Sequence, residues 1–145
     1  MPQQIHRGYK ILVAEANAAI ETIPIGDAMA QFPAGNSGRE DVVLVDLRDP
    51  RELERDGKIP GAFHCPRGML EFWIDPDSPY AKPVFQRDVK FVFYCAGGLR
   101  SALAAKLAQD MGLQPVAHID GGFAAWREAG GAVEKVEPHK PRPKT

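Results

Sequence analysis

Residues 91–112 read FVFYCAGGLRSALAAKLAQDMG, and this run decides the fold. Phe91-Val92-Phe93-Tyr94 is continuously apolar, as expected of a strand covered on both faces of a parallel sheet. Ser101 to Met111 places Leu103, Leu107 and Met111 on one helical stripe, and Gly112 follows as a stop signal. A strand therefore runs into a helix through a short loop holding Gly97 and Gly98. The same grammar recurs on either side. Val42-Val43-Leu44-Val45-Asp46 and Val116-Ala117-His118-Ile119 read as further buried strands, and Ala62-Phe63-His64-Cys65 as a shorter one. Phe123 to Ala129 forms a short helix after the last of these. Towards the N-terminus, Tyr9 to Ile20 has helical spacing of Ile11, Leu12, Ala16, Ala19 and Ile20. Ile20 to Ile23 is β-prone, Pro24 suits the first turn of a second helix reaching about Gln31, and PAGNSGRED (33–41) is a loop by composition. Strands alternating with helices predict an α/β domain in three layers, with a mostly parallel central sheet and helices on both faces.

Composition agrees with one soluble domain and excludes several classes. The chain has 145 residues, 44% hydrophobic and 26% charged, with a net charge of −1. Disorder as the main state does not fit that balance. Two cysteines, Cys65 and Cys95, cannot make a disulfide scaffold. The near-neutral charge gives no electrostatic footprint for nucleic acid, and no apolar run reaches the ~20 residues of a membrane span. MPQQIHRGYK (1–10) has no signal-peptide design, so a cytoplasmic location with reduced thiols is expected. One domain is expected over 1–133, including a helix at about 9–19. EKVEPHKPRPKT (134–145), with three prolines and four basic against two acidic residues, reads as a flexible tail.

In an open parallel sheet, ligands gather at the carboxyl ends of the strands. That rule brings Asp46 and Arg48, Cys65 and Arg67, Cys95, and Asp120 to one rim. The segment Cys95-Ala96-Gly97-Gly98-Leu99-Arg100-Ser101 lies between strand and helix, where glycines allow a tight bend and backbone N–H groups turn inward. Those donors, the helix dipole and Arg100 favour thiolate over thiol, which makes Cys95 the candidate nucleophile.

The chain resembles single-domain rhodaneses, the sulfurtransferase family. Cys95-x-x-Gly98-x-Arg100-Ser101 is similar to the family's persulfide loop. Val43 to Arg48, Ile59-Pro60-Gly61-Ala62, and Asp120 to Trp126 resemble its other signatures in the same order, so that the likeness covers roughly residues 20–131. The resemblance implies a five-stranded parallel sheet and a double displacement. Cysteine takes the outer sulfur of a small anionic donor such as thiosulfate and passes it as a persulfide to cyanide, a thiol, or a protein thiol. No cofactor or metal is needed, because N–H donors can hold the persulfide charge. Two other functions stay open: a sulfur-relay or redox module serving a protein partner, and a cysteine phosphatase of the same fold. Phosphatase loops of this fold place five residues between cysteine and arginine, whereas here four separate Cys95 from Arg100, a cradle narrower than phosphate requires.

The remaining candidates divide between structure and substrate. Asp46 and Arg48 are expected to organise the turn after their strand, Glu52 to sit on a short helix after Asp49-Pro50, and Asp120 to cap a turn. Cys65 reads as a buried thiol rather than a resolving cysteine, and His64 beside it has no second ligand pair for a metal. His6 and His139 read as solvated and His118 as packed. Arg67 could bind the donor's sulfonate, with a water-exposed ion pair as the plain alternative. Met69, Leu70, Phe72 and Trp73 read as helix packing, with an apolar wall over the sulfur pocket as the functional alternative. Phe123 and Trp126 read as core.

Overall fold

The structure, a computed structural model, describes residues 2–138. Its elements in chain order are α1 (Tyr9–Ala19), β1 (Glu21–Ile23), α2 (Ile25–Gln31), β2 (Val42–Asp46), α3 (Pro50–Asp56), β3 (Phe63–His64), α4 (Leu70–Ile74), β4 (Lys90–Tyr94), α5 (Leu99–Met111), β5 (Val116–Ile119) and α6 (Gly122–Glu128). Short 3-10 turns occupy Arg67–Met69 and Pro83–Gln86. The strands form one five-stranded sheet in the order β1-β5-β4-β2-β3, and every pairing is parallel. The expected α/β class with a parallel sheet is therefore the observed one.

Strand alternation divides the core into two layers. Val43, Val45, Phe91, Phe93 and Val116 point to one face, where Ala104, Ala105 and Ala108 of α5 and Leu70 and Ile74 of α4 cover them. Val42, Leu44, Val92, Tyr94, Ala117 and Ile119 point to the other, under Ala28 of α2 and Phe123 and Trp126 of α6. Because both faces are covered, the strands carry apolar residues at successive positions, which is why they read as continuous runs.

The structure revises several details. In α5 the buried positions are Ser101, Ala102, Ala104, Ala105 and Ala108. Leu103 and Leu107 are only half-buried and Met111 is 40% exposed, so the leucine stripe is not the face that meets the sheet. Small side chains let the helix backbone sit close to β4 and β5, and the larger ones are displaced to its flank. The helix also starts at Leu99, two residues before the expected start, and β3 is two residues long. Glu134 exchanges backbone hydrogen bonds with Lys58 (2.9 and 2.8 Å), so the first residue of the expected tail is paired. Residues 139–145 of that tail, with His139, lie outside the described residues. Among the described residues, no helix is long and apolar enough to cross a membrane.

One charged pair is buried at the end of β2. Arg48, 1% exposed, donates from Nη2 to Asp46 Oδ2 (2.7 Å) and from Nε to Asp46 Oδ1 (3.0 Å). The same Nη2 donates to the Gly57 carbonyl (2.7 Å), and the guanidinium lies 4.2 Å from the Phe123 ring centroid. Removing one partner strands the other charge inside the protein. Arg48→Ala should lose about 3–5 kcal/mol in urea unfolding, whereas Arg55→Ala, from an exposed pair, should lose well under ~1 kcal/mol. Equal effects would show that the Arg48 charge is not confined.

Candidate active site

The chain leaves β4 at Tyr94 and enters α5 at Leu99, and the turn between them encloses the Cys95 sulfur. Gly98 caps α5 at φ 100°, a left-handed conformation that disfavours a side chain. In that geometry Gly98 N–H donates to Cys95 Sγ at 3.2 Å, and Ser101 N–H donates to it at 3.3 Å. Cys95 is 1% exposed. A sulfur so placed takes its N–H donors from the start of a 13-residue helix rather than from water.

The outer side of the turn is held by α6. Phe123 N–H donates to the Cys95 carbonyl (2.8 Å) and Ala124 N–H to the Ala96 carbonyl (3.0 Å), so two N–H groups of the first turn of α6 find their acceptors in the loop. Approach this close requires glycine. A Cβ on Gly122 would lie 2.5 Å from the Cys95 carbonyl oxygen. The Gly121-Gly122 pair thus seats one helix on the loop of another. Ala96 is half-buried, and Gly97 and Leu99 face solvent.

Arg100 is held by Glu52. Its Nη1 and Nη2 donate to Glu52 Oε2 (3.0 Å) and Oε1 (2.9 Å) in a two-pronged ion pair. Glu52 Oε2 also accepts from Asp49 N–H (2.8 Å), completing the capping box of α3. Glu52 therefore does more than sit on its helix: it ties the cap of α3 to the cysteine loop. The Arg100 guanidinium, chiefly through these hydrogen bonds, holds the Glu52 carboxyl down at about 2. Sequence order hides this pair, since the two residues lie 48 positions apart.

Asp46 and Arg48 stand under the rim as the buried pair, with Leu47 N–H on the Tyr94 carbonyl (2.9 Å) and His64 Nε2 against the Arg48 carbonyl (2.7 Å). Cys65 is fully buried, and burial pushes its thiol up to about 12. Arg67 donates to Glu71 Oε1 at 2.9 Å, one turn along the chain, in a partly exposed pair. Trp73 packs edge-on to Phe63 (6.0 Å between centroids) with Lys82 Nζ 4.8 Å above its ring. The partners of Arg67 and Trp73 thus lie outside the loop. Among the described residues, no group of three or more His, Cys, Asp or Glu is placed to hold a metal ion.

Comparison with known proteins adds the lineage. The rhodanese-like domain family matches residues 33–129. A thiosulfate sulfurtransferase of Pseudoalteromonas translucida is 31% identical over 99 residues, which is 68% of this chain and 84% of that protein. A sulfurtransferase of Allochromatium vinosum is 33% identical over 63% of this chain and 77% of its own length. Among solved structures, a Rhodopseudomonas palustris protein of unknown function, described as a possible tyrosine phosphatase, is 71% identical with a TM-score of 0.87, covering 92% of this chain and 99% of its own. A rhodanese-related protein of Thermoplasma volcanium is 28% identical with a TM-score of 0.60, over 79% of this chain and 97% of its own.

The Glu52 pair has a definite pH signature. Its folded value of about 2 lies below that of a free carboxylate, so its stabilisation is complete above ~4.5 and is lost as pH falls towards 2. Glu52→Gln keeps a capping acceptor but no charge, and should flatten part of the decline in urea midpoint between pH 5 and pH 3. Glu52→Ala also loses the cap, and should cost about 1 kcal/mol more at pH 7. An unchanged acid slope in Glu52→Gln would show that the pair does not form in solution.

Proposed function

The chain belongs to the rhodanese-like domain family, and on that premise we propose that it is a sulfurtransferase carrying sulfane sulfur on Cys95. The observation that carries this reading is the buried sulfur accepting N–H bonds from Gly98 and Ser101. In the first displacement the Cys95 thiolate attacks the outer sulfur of thiosulfate. The S–S bond breaks, and sulfite leaves with the electron pair. In the second, a nucleophilic acceptor such as cyanide or a thiol attacks the outer sulfur of the persulfide, and the Cys95 thiolate departs. No net oxidation occurs and no cofactor takes part. The loop from Ala96 to Ser101 holds the charge on sulfur by oriented dipoles, whose orientation is fixed before reaction.

Arg67 and Trp73 belong to this proposal as the donor's outer contacts. Arg67 must then exchange its Glu71 partner for sulfonate oxygens, and Trp73, partly buried under Lys82, must lend its ring. The unit doing this work is proposed as a single domain that includes the Glu134–Lys58 pairing, acting in the cytoplasm.

Phosphate-ester hydrolysis is the second reading, favoured by the words attached to the 71% identical R. palustris protein. Four residues between Cys95 and Arg100 argue against it, as does the engagement of Arg100 by Glu52. A phosphatase arginine must face the phosphate.

Incubation with thiosulfate should add the mass of one sulfur atom to the intact protein. Cys95→Ser should abolish that gain and thiosulfate-dependent thiocyanate formation, while Cys65→Ser should retain most of both. Turnover of p-nitrophenyl phosphate that depends on Cys95 and exceeds sulfur transfer would replace this reading by the second. Arg67→Ala should raise KM for thiosulfate and spare a neutral organic persulfide donor. The rise should be about tenfold or less, because breaking the Glu71 pair offsets part of a charged hydrogen bond worth ~1.5–3 kcal/mol. Equal effects on the two donors would remove Arg67 from the site.

A further inference from the structure

His118 is a titratable side chain buried in the middle of the sheet, and the sulfur-transfer scheme above makes no use of it. It is 2% exposed, and on β5 it stands opposite Phe93 in the parallel register. Its neighbours Ala117 and Ile119 belong to the core layer under α6, so strand alternation sends the imidazole to the α5 side, where Cys95 lies. A valine or isoleucine there would have no polar group to satisfy. The imidazole instead has a partner at each nitrogen.

These partners fix the direction of a hydrogen-bond chain. His118 Nε2 lies 2.9 Å from Asn17 Oδ1, an oxygen that can only accept, so Nε2 carries the hydrogen. Thr22 Oγ1 stands 3.2 Å from the same nitrogen and 3.4 Å from Asn17 Oδ1, to which it donates. Burial lowers the pKa of His118, so before the thiol ionises the neutral ring offers Nδ1 as a bare acceptor. Nδ1 is 2.9 Å from Ser101 Oγ, whose single hydroxyl hydrogen is then committed to it. The free lone pair of that oxygen faces Cys95 Sγ at 3.6 Å, within reach of a thiol hydrogen. Ser101 is itself fully buried. The sequence from sulfur to ring is thus S–H to hydroxyl oxygen, hydroxyl hydrogen to imidazole nitrogen, and each side-chain donor along this path points away from the sulfur.

The geometry points to His118 as the proton acceptor for the Cys95 thiol, acting through the Ser101 hydroxyl. As the S–H bond breaks, its proton passes to Ser101 Oγ, and the Ser101 hydrogen passes to His118 Nδ1. The products are a thiolate and an imidazolium with a hydroxyl between them that now donates to sulfur. No electron leaves the sulfur, and the buried chain keeps zero net charge throughout, which avoids the cost of burying a lone ion. The other end of the chain reaches the surface, because Asn17 on α1 is exposed. His118 is accordingly a positioning residue, since it never meets the donor molecule.

The charged groups around the pair are few. Asp120, at the end of β5, favours the imidazolium. Arg100, on α5, interacts with the Cys95 charge and is held by Glu52 of α3. The groups offered by α1 and β1, Asn17 and Thr22, are neutral. This proposal assumes only that Cys95 must ionise to act, as the sulfurtransferase reading requires.

Thiolate absorbance at 240 nm between pH 4 and pH 9, corrected with a Cys95→Ser blank, tests the proposal without any sulfur donor. The Cys65 thiol, at about 12, stays protonated over this range. Asn at position 118 can still bond Ser101 but cannot take a proton. His118→Asn should therefore move the thiolate midpoint up by one pH unit or more, a tenfold loss of thiolate at a given pH below it. Ser101→Ala should move it comparably, and the double variant should move it no further than the larger single shift. Asn17→Leu, at an exposed position, should move it in the same direction by at least threefold in thiolate fraction, and serves if His118→Asn fails to fold. A thermal melt on each variant separates packing from titration. An unmoved midpoint in folded His118→Asn, or additive shifts in the double variant, would overturn the relay. If the midpoints move as stated but thiosulfate loads no sulfur, the relay stands and the sulfurtransferase reading falls.

Discussion

A sulfur atom has been sealed at the carboxyl end of the central strand, and much of the structure answers to that placement. Water cannot solvate Cys95, which is 1% exposed, so the protein must supply the donors. Gly98 and Ser101 N–H groups do so, because α5 begins directly beneath the sulfur. For α5 to begin there, Gly98 must adopt a left-handed conformation, and the loop carbonyls left outside must find partners of their own. The first turn of α6 provides them, at a separation that excludes any side chain on Gly122.

A second set of interactions fixes this arrangement from the side. The buried Asp46–Arg48 pair closes the turn after β2 and is covered by the Phe123 ring. Two residues further on, α3 opens with a capping box whose glutamate grips Arg100. The cysteine loop is thus clamped between α6 on one flank and α3 on the other. An arginine held in this way acts on the sulfur by its field rather than by contact. That distinction matters for the choice between sulfur and phosphate chemistry, because a phosphoryl group needs the guanidinium fork itself.

Polar groups inside the sheet carry the same logic to the far edge. Placing His118 in a buried strand is expensive unless each nitrogen is satisfied, and Ser101 and Asn17 satisfy both. Since the hydroxyl that serves the imidazole also faces the sulfur, satisfying the core histidine and positioning the thiol proton become one geometric requirement.

The sequence alone determined the parallel α/β architecture, because strands covered on both faces must be apolar at successive positions and helices must separate them. It also singled out the Cys95 loop, since two glycines and an arginine between a strand and a helix describe local backbone geometry that residue types dictate. The tertiary structure decided what depends on distance through space. Glu52 and Arg100, or Ser101, His118 and Asn17, meet only after the strands are ordered β1-β5-β4-β2-β3, and no local pattern encodes that order. It also decided which face of α5 is inside. Hydrophobicity pointed to Leu103 and Leu107, but the helix must approach β4 closely enough for its first N–H groups to reach the sulfur, and only the alanine face permits that approach.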